Sequence, residues 1–173
     1  IVVCPDTALP NTAQDIGTVL KTAVNQYVKD ESSRKSLLKI IPQAENSMRV
    51  EMLEFANAKD RKEAPSFSAI AMKHLANTAG TSVPDKAIQE AGAILDILPV
   101  AYLNTKGIFS GREKKEAGSG GLFSIFVKDL CKGCAACVEA CGDHDALKMI
   151  EETEQHHADL ESANEFLELL SDT

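Results

Sequence analysis

Four cysteines lie close together near the end of this 173-residue chain, at Cys131, Cys134, Cys137 and Cys141. Their spacing is C-x2-C-x2-C-x3-C, which is a spacing that iron–sulfur clusters use. Three thiolates separated by two residues can wrap one face of a [4Fe–4S] cluster, and the small residues between them let the backbone approach the cluster. The run therefore predicts an iron–sulfur centre whose chemistry is electron transfer.

The fifth cysteine, Cys4, is the expected remote ligand. In two-cluster ferredoxins the fourth cysteine of such a run binds the other cluster. We therefore expect Cys131, Cys134 and Cys137 to share one [4Fe–4S] cluster with Cys4, and Cys141 to bind a second cluster. Counting the same spacing back from Cys4 puts the remaining ligands of that second cluster before Ile1, so we expect the sequence to begin part-way through a longer protein.

Two other kinds of thiol site remain as alternatives. Structural zinc sites usually use two cysteine pairs with a longer spacer between them, which this compact run lacks. A redox-active C-x-x-C dithiol would be expected within a thioredoxin-like βαβ pattern, which is not visible here. The sequence also shows no phosphate-binding glycine loop, no paired catalytic carboxylates and no thiamine-binding signature, so we expect no catalytic residue in this chain.

The charge and hydropathy of the chain indicate which partners and which compartment to expect. The net charge of −8 makes nucleic acid an unfavourable partner. We expect no membrane association, because no apolar run reaches the roughly 18 residues that a membrane-spanning helix needs. Thiolates reserved for a metal indicate a reducing compartment, and we therefore expect a cytoplasmic protein.

The long segment between Cys4 and the cysteine run has helical periodicity. Residues 11–109 predict a small helical bundle, with apolar side chains repeating every three or four residues. We expect Thr12 to cap the first helix with Asp15 as its capping-box partner. Ser32 or Ser33 is expected to begin a short second helix, and Pro42 to stand in the first turn of a third. A fourth helix is predicted to stop before Gly80 and a fifth before Pro99.

The last third of the chain has a different character. Residues 110–121 are polar and glycine-rich and predict an exposed loop or linker. Residues 122–152 form the cysteine-bearing unit, with strands expected at 122–127 and 146–150. Residues 153–173 predict an amphipathic helix that leads to a following domain.

The residues around the cysteines resemble a known family. The segment 122–149, with its four cysteines, is similar to the second ferredoxin half-motif of the pyruvate:ferredoxin oxidoreductases and related 2-oxoacid:acceptor oxidoreductases. Residues 1–10, with Cys4-Pro5, resemble the end of the first half-motif. The chain departs from the family pattern in the length of the insert at 11–109 and in Gly142, where proline often follows the cysteine.

The resemblance implies an α+β protein: a ferredoxin-like half-domain for two [4Fe–4S] clusters, interrupted by a mainly α-helical insert. It implies a relay of electrons between a thiamine diphosphate site and external ferredoxin or flavodoxin. Thiamine diphosphate, Mg²⁺ and coenzyme A are then expected on other domains or subunits of a homodimeric enzyme. The alternative is a stand-alone ferredoxin-type carrier fused to a helical interaction domain.

Overall fold

The computed structural model describes residues 4–59, 64–144 and 147–170, with residue 144 described by its backbone alone. Over these residues the fold is α+β, as predicted, and mostly helical, with seven α-helices, one 3₁₀ turn and a three-stranded sheet. The elements in chain order are β1 (Asn11–Asp15), α1 (Ile16–Tyr27), α2 (Glu31–Asn57), α3 (Phe67–Ala79), α4 (Asp85–Ile97), β2 (Val100–Ala101), α5 (Ser110–Glu113), β3 (Gly121–Ile125), α6 (Ala136–Cys141), the 3₁₀ turn Gly142–His144 and α7 (Glu154–Glu168).

The sheet joins the two ends of the helical region. Its order is β1-β3-β2, and both pairings are antiparallel. Asn11 pairs with Ile125 and Asp15 with Gly121. Leu122 and Ser124 are buried, whereas the alternate residue Phe123 is half-buried, so one face of β3 packs on the helices. The helical region therefore begins at β1 and ends at β3, and these two strands lie side by side.

The predicted start of the first helix is wrong. Thr12 lies in β1 and does not cap a helix; Asp15 is the N-cap, and its Oδ2 accepts a hydrogen bond of 2.8 Å from the Thr18 amide. The local sequence allowed either position, since both residue types cap helices. Pairing with β3, more than a hundred residues away, holds residues 11–15 extended and moves the helix start to Ile16.

The predicted second and third helices are one helix. α2 runs for 27 residues with Pro42 inside it. Asp30 caps it, and its Oδ2 accepts a hydrogen bond of 2.7 Å from the Ser33 amide. Proline in a helix interior removes one backbone hydrogen bond. Pro42 itself is exposed, while the residues on either side of it keep a continuous buried stripe: Leu37, Ile41, Ala44, Met48 and Met52. Packing of that stripe outweighs the local penalty.

The fourth and fifth predicted helices are confirmed as α3 and α4. Gly80, with φ of 54°, ends α3 in a conformation that favours glycine. α4 ends at Ile97, shortly before Pro99. The predicted C-terminal helix is α7, whose Phe166 is fully buried, with its ring centroid 6.1 Å from that of Tyr27. These helices surround one continuous apolar core.

Polar contacts join α2 to α3, and they join the segment before α3 to the segment after β2. Glu51 in α2 accepts hydrogen bonds from Lys73 at 2.8 Å and from His74 at 2.6 Å. The hydrogen bond from Lys73 is the main cause of a lowered pKa for Glu51, and His74 adds to it while burial opposes it. Tyr102 is buried and donates to the Pro65 carbonyl at 2.8 Å. Burial, with a smaller contribution from the negative charge of Glu51, raises the pKa of Tyr102 to about 12.

The glycine-rich loop, residues 110–121, is mostly exposed, as expected, but the side chain of its own Glu113 is buried and holds the loop together. The Glu113 carboxylate, whose side chain is 7% exposed, accepts hydrogen bonds from the amides of Gly118 at 2.8 Å and Gly120 at 2.9 Å. The second strand expected in the cysteine-bearing unit is wrong for residues 147–150, which form no strand, while residue 146 lies outside the described residues.

Candidate metal centre

The pairing of β1 with β3 continues beyond both strands toward the cysteines. The Phe126 amide donates to the Pro10 carbonyl at 3.0 Å, and the Lys128 amide donates to the Ala8 carbonyl at 2.9 Å. These two pairs keep the register of Asn11 with Ile125. Residues 8–15 and 121–128 therefore form one antiparallel ladder, here called the cysteine ladder. It leads from the helical core to the segments that carry Cys4 and Cys131.

Cys4 opens a tight turn at the end of the cysteine ladder. The Thr7 amide donates to the Cys4 carbonyl at 3.3 Å. Thr7 has a φ of 51°, which is uncommon for a β-branched residue. The next amide, that of Ala8, donates to Cys4 Sγ at 3.3 Å. The turn thus directs a backbone dipole at the sulfur, and such a donor stabilises negative charge on a thiolate.

The four clustered cysteines lie on a loop and a short helix. Cys131 and Cys134 are exposed in the loop, while Cys137 and Cys141 lie four residues apart on α6 and are half-buried. Side chains four residues apart project from the same side of a helix. Gly133 and Ala135, on either side of Cys134, both have positive φ, at 65° and 62°. The backbone therefore winds tightly around Cys134.

One ion pair connects the two cysteine segments. Lys132 Nζ lies 3.5 Å from Asp6 Oδ1, and these residues are 126 positions apart in the chain. The lysine side chain is largely exposed, so the pair contributes little stability. Its value here is geometric, because it shows that the Cys4 turn lies beside the loop that carries Cys131. Sequence reasoning did not predict this pairing, since nothing in the local pattern of Asp6 separates it from an ordinary turn aspartate.

The donor set suits an iron–sulfur cluster in its chemistry. Soft thiolates are the ligands that such clusters require, and all five cysteines are free and none is fully buried. The sulfurs do not converge, however: among the described residues, no three Cys, His, Asp or Glu side chains form a group that could hold a metal ion. The structure thus brings the two segments together, and the predicted ligand assignments stay predictions.

Two cavities in the described part of the chain are located away from the thiols. One of about 430 Å³ lies at the opposite end of the cysteine ladder, where Asp15, Arg112 and Gly120 are among its lining residues. Another of about 320 Å³ lies between α3 and α4, with Ser68, Asp96 and Tyr102 in its walls. No cysteine lines either cavity. Neither cavity therefore provides a substrate pocket at the candidate metal centre.

Two further findings bear on the class of protein. None of the helices in the described residues is both long and apolar enough to cross a membrane. Comparisons with models of protein families, with curated proteins and with solved structures found no match to this chain.

Proposed function

We propose that this chain is the iron–sulfur electron-transfer segment of a thiamine diphosphate-dependent 2-oxoacid:ferredoxin oxidoreductase. The observation that supports it most directly is the cysteine ladder. A remote ligand at Cys4 requires that residue to return to the Cys131 loop across the whole helical region. The hydrogen bond of Lys128 to Ala8 and the ion pair of Lys132 with Asp6 are what that requirement predicts.

In this proposal the chain supplies ligands and a polar environment. A bound [4Fe–4S] cluster takes up and releases one electron at a time. Cys131, Cys134, Cys137 and Cys4 would hold one cluster, and Cys141 would contribute to a second. The Ala8 amide donates to Cys4 Sγ, and hydrogen bonds to ligand sulfurs are one of the factors that set the potential of such a centre.

The remaining parts of the proposal concern the whole enzyme. The other domains or subunits would bind thiamine diphosphate, Mg²⁺ and coenzyme A, and the complete protein would be a cytoplasmic homodimer. External ferredoxin or flavodoxin would exchange electrons with the clusters. The chain itself would provide no substrate site and no catalytic residue.

Anaerobic purification tests the proposal. We expect a brown protein with broad visible absorption and with iron and sulfide in equal amounts. A colourless protein that contains zinc after anaerobic purification and after reconstitution with iron and sulfide would contradict it.

Two cysteine substitutions test the ligand assignment. Cys4→Ser should abolish the cluster held by Cys131, Cys134 and Cys137, whereas Cys141→Ser should leave that cluster in place. Iron content and electron paramagnetic resonance of the reduced protein measure both effects. Asp129→Asn, which changes an exposed residue beside the run, is the control. Loss of the same cluster in both serine variants would show that the pairing is wrong.

A further inference from the structure

A buried arginine connects three separate segments at the far end of the cysteine ladder. Arg49 in α2 has a side chain that is only 4% exposed. Its guanidinium donates to Glu45 at 2.6 Å, Glu113 at 3.0 Å and Asp15 at 3.2 Å, and also to the Gly120 carbonyl. Sequence reasoning missed this residue because Glu45 and Arg49, four residues apart on a helix, are typical of a surface ion pair.

One of these partners lies in the cysteine ladder, and another lies directly beside it. Asp15 is the last residue of β1 and pairs with Gly121, the first residue of β3. Gly120 immediately precedes that pair. The guanidinium therefore holds the last residue of one strand by its side chain and the residue before the other strand by its backbone carbonyl. A planar group with five donors in a fixed geometry is well suited to this, because it binds its partners in a defined orientation.

Register matters strongly at this ladder. Successive side chains of a strand point to opposite faces, so a slip of one residue would turn the buried Leu122 and Ser124 outward. The same slip would move Asp15 away from Gly121 and leave the guanidinium without one of its partners. A buried charge that loses a partner is costly, and buried ionic groups are best known for specifying one register over others.

We propose that Arg49 is a positioning residue that fixes the register of the cysteine ladder, and thereby holds the Cys4 turn beside the Cys131 loop. The first part of this inference concerns the ladder alone. The second part, which assigns the ladder its purpose, rests on the proposed function.

Hydrogen exchange of the metal-free chain tests the first part. In Arg49→Met, the amides of Phe126 and Lys128, which donate across the ladder, should exchange roughly tenfold faster or more, as expected when a buried hydrogen-bonding group loses its partner. The Leu95 amide in α4 should change less and serves as the internal reference. Lys35→Met, at an exposed residue of the same helix, is the matched control and should leave both ladder amides unchanged.

Two further variants keep the test decisive. Glu113→Gln alters one partner of Arg49 without changing α2, and it should speed the hydrogen exchange of the same two amides. This variant therefore tests the proposal even if Arg49→Met does not fold. Arg49→Lys retains the charge but not the planar fork, and it should restore the protection of Leu95 more fully than that of Phe126 and Lys128. Unchanged ladder protection in folded variants, or equal acceleration at Leu95 and the ladder, would overturn the proposal.

The link to the metal centre has its own readout. After reconstitution, Arg49→Met should bind less iron than Lys35→Met, because the Cys4 turn is no longer held in place. Full iron binding by a variant whose ladder amides exchange fast would overturn the second part of the inference. If even the unmodified chain binds no iron, the proposed function fails, while the exchange result still decides the role of Arg49 in the ladder.

Discussion

The helical core and the cysteine end of this chain are organised differently. In the core, large side chains such as Leu20, Met48 and Leu75 are fully buried and belong to one continuous cluster. At the cysteine end, Leu130, Met149 and Ile150 are 59%, 54% and 66% exposed. Two of the four clustered thiols are also exposed. The core is thus closely packed, whereas the cysteine end leaves apolar and sulfur groups at the surface.

This difference indicates where the stability of the chain resides. Burial of apolar surface supplies the main stabilisation of a folded domain, and here it lies in α1 to α4 and α7. The cysteine end has little buried surface of its own and depends on the cysteine ladder for its position. Four expectations test this division, and they are ordered by the size of the expected effect on stability.

The largest effect is expected from a core truncation. Leu20→Ala should lower the free energy of unfolding by about 2 to 5 kcal/mol, because it removes buried methyl groups and leaves a cavity. Leu130→Ala, the same change at the cysteine end, should cost less than about 0.5 kcal/mol. Urea denaturation of the metal-free chain measures both. Equal losses would show that the cysteine end shares the core.

A smaller change, in the opposite direction, is expected at Pro42. Replacing it with alanine should stabilise the chain by roughly 1 to 2 kcal/mol, since a helix-interior proline costs about 3 kcal/mol and part of this is offset by the greater freedom of the unfolded chain. Pro42 is exposed, so no core contact is lost. Thermal unfolding followed by circular dichroism measures the shift. A lower melting temperature would mean that the proline is required for α2 to pack.

The alkaline titration of Tyr102 tests how well the core excludes water. In a Tyr27→Phe background, which leaves one tyrosine, the phenolate absorbance should appear with a midpoint of about 12. This pKa is higher in the folded chain than the ordinary 10.0. The protonated Tyr102 side chain therefore contributes fully to the free energy of unfolding below pH 10, and that contribution is lost as the pH rises toward 12. Glu51→Gln should lower the midpoint slightly. A midpoint near 10 in the folded protein would contradict the burial of this side chain.

The smallest effect is expected at the thiols. Cys134→Ser should change the unfolding free energy of the metal-free chain by less than about 0.5 kcal/mol, because its side chain is exposed. Chemical denaturation of Cys134→Ser and of the unmodified chain, each with and without reconstituted iron, measures the change in unfolding free energy. A large loss in the metal-free chain would mean that Cys134 already makes packing contacts without a cluster.

Local sequence predicted those parts of the fold that local interactions determine. α3 and α4 follow apolar periodicity and end at Gly80 and before Pro99, as expected. The errors concern features set by distant partners: β1 is extended because it pairs with β3, and α2 continues through Pro42 because its buried stripe packs on α1 and α3.

The same distinction holds for the candidate metal centre. The sequence alone shows the spacing of the four clustered cysteines, and the role expected of Cys4 was predicted from that spacing. The means by which the chain returns Cys4 to that region was not. The cysteine ladder and the Arg49 network both depend on residues far apart in sequence, and neither Asp6 nor Arg49 stands out from its neighbours.

The cysteine ladder also constrains the order in which the protein forms. Its strand pairs join residues 106 to 114 positions apart, from Asp15 with Gly121 to Asn11 with Ile125. We expect contacts of such high sequence separation to form after the local helical contacts, because the entropy of closing a long loop opposes them. During synthesis, β1 therefore has no partner until β3 emerges. Under the proposed function, Cys4 and the Cys131 run would acquire iron only after the helical region has formed.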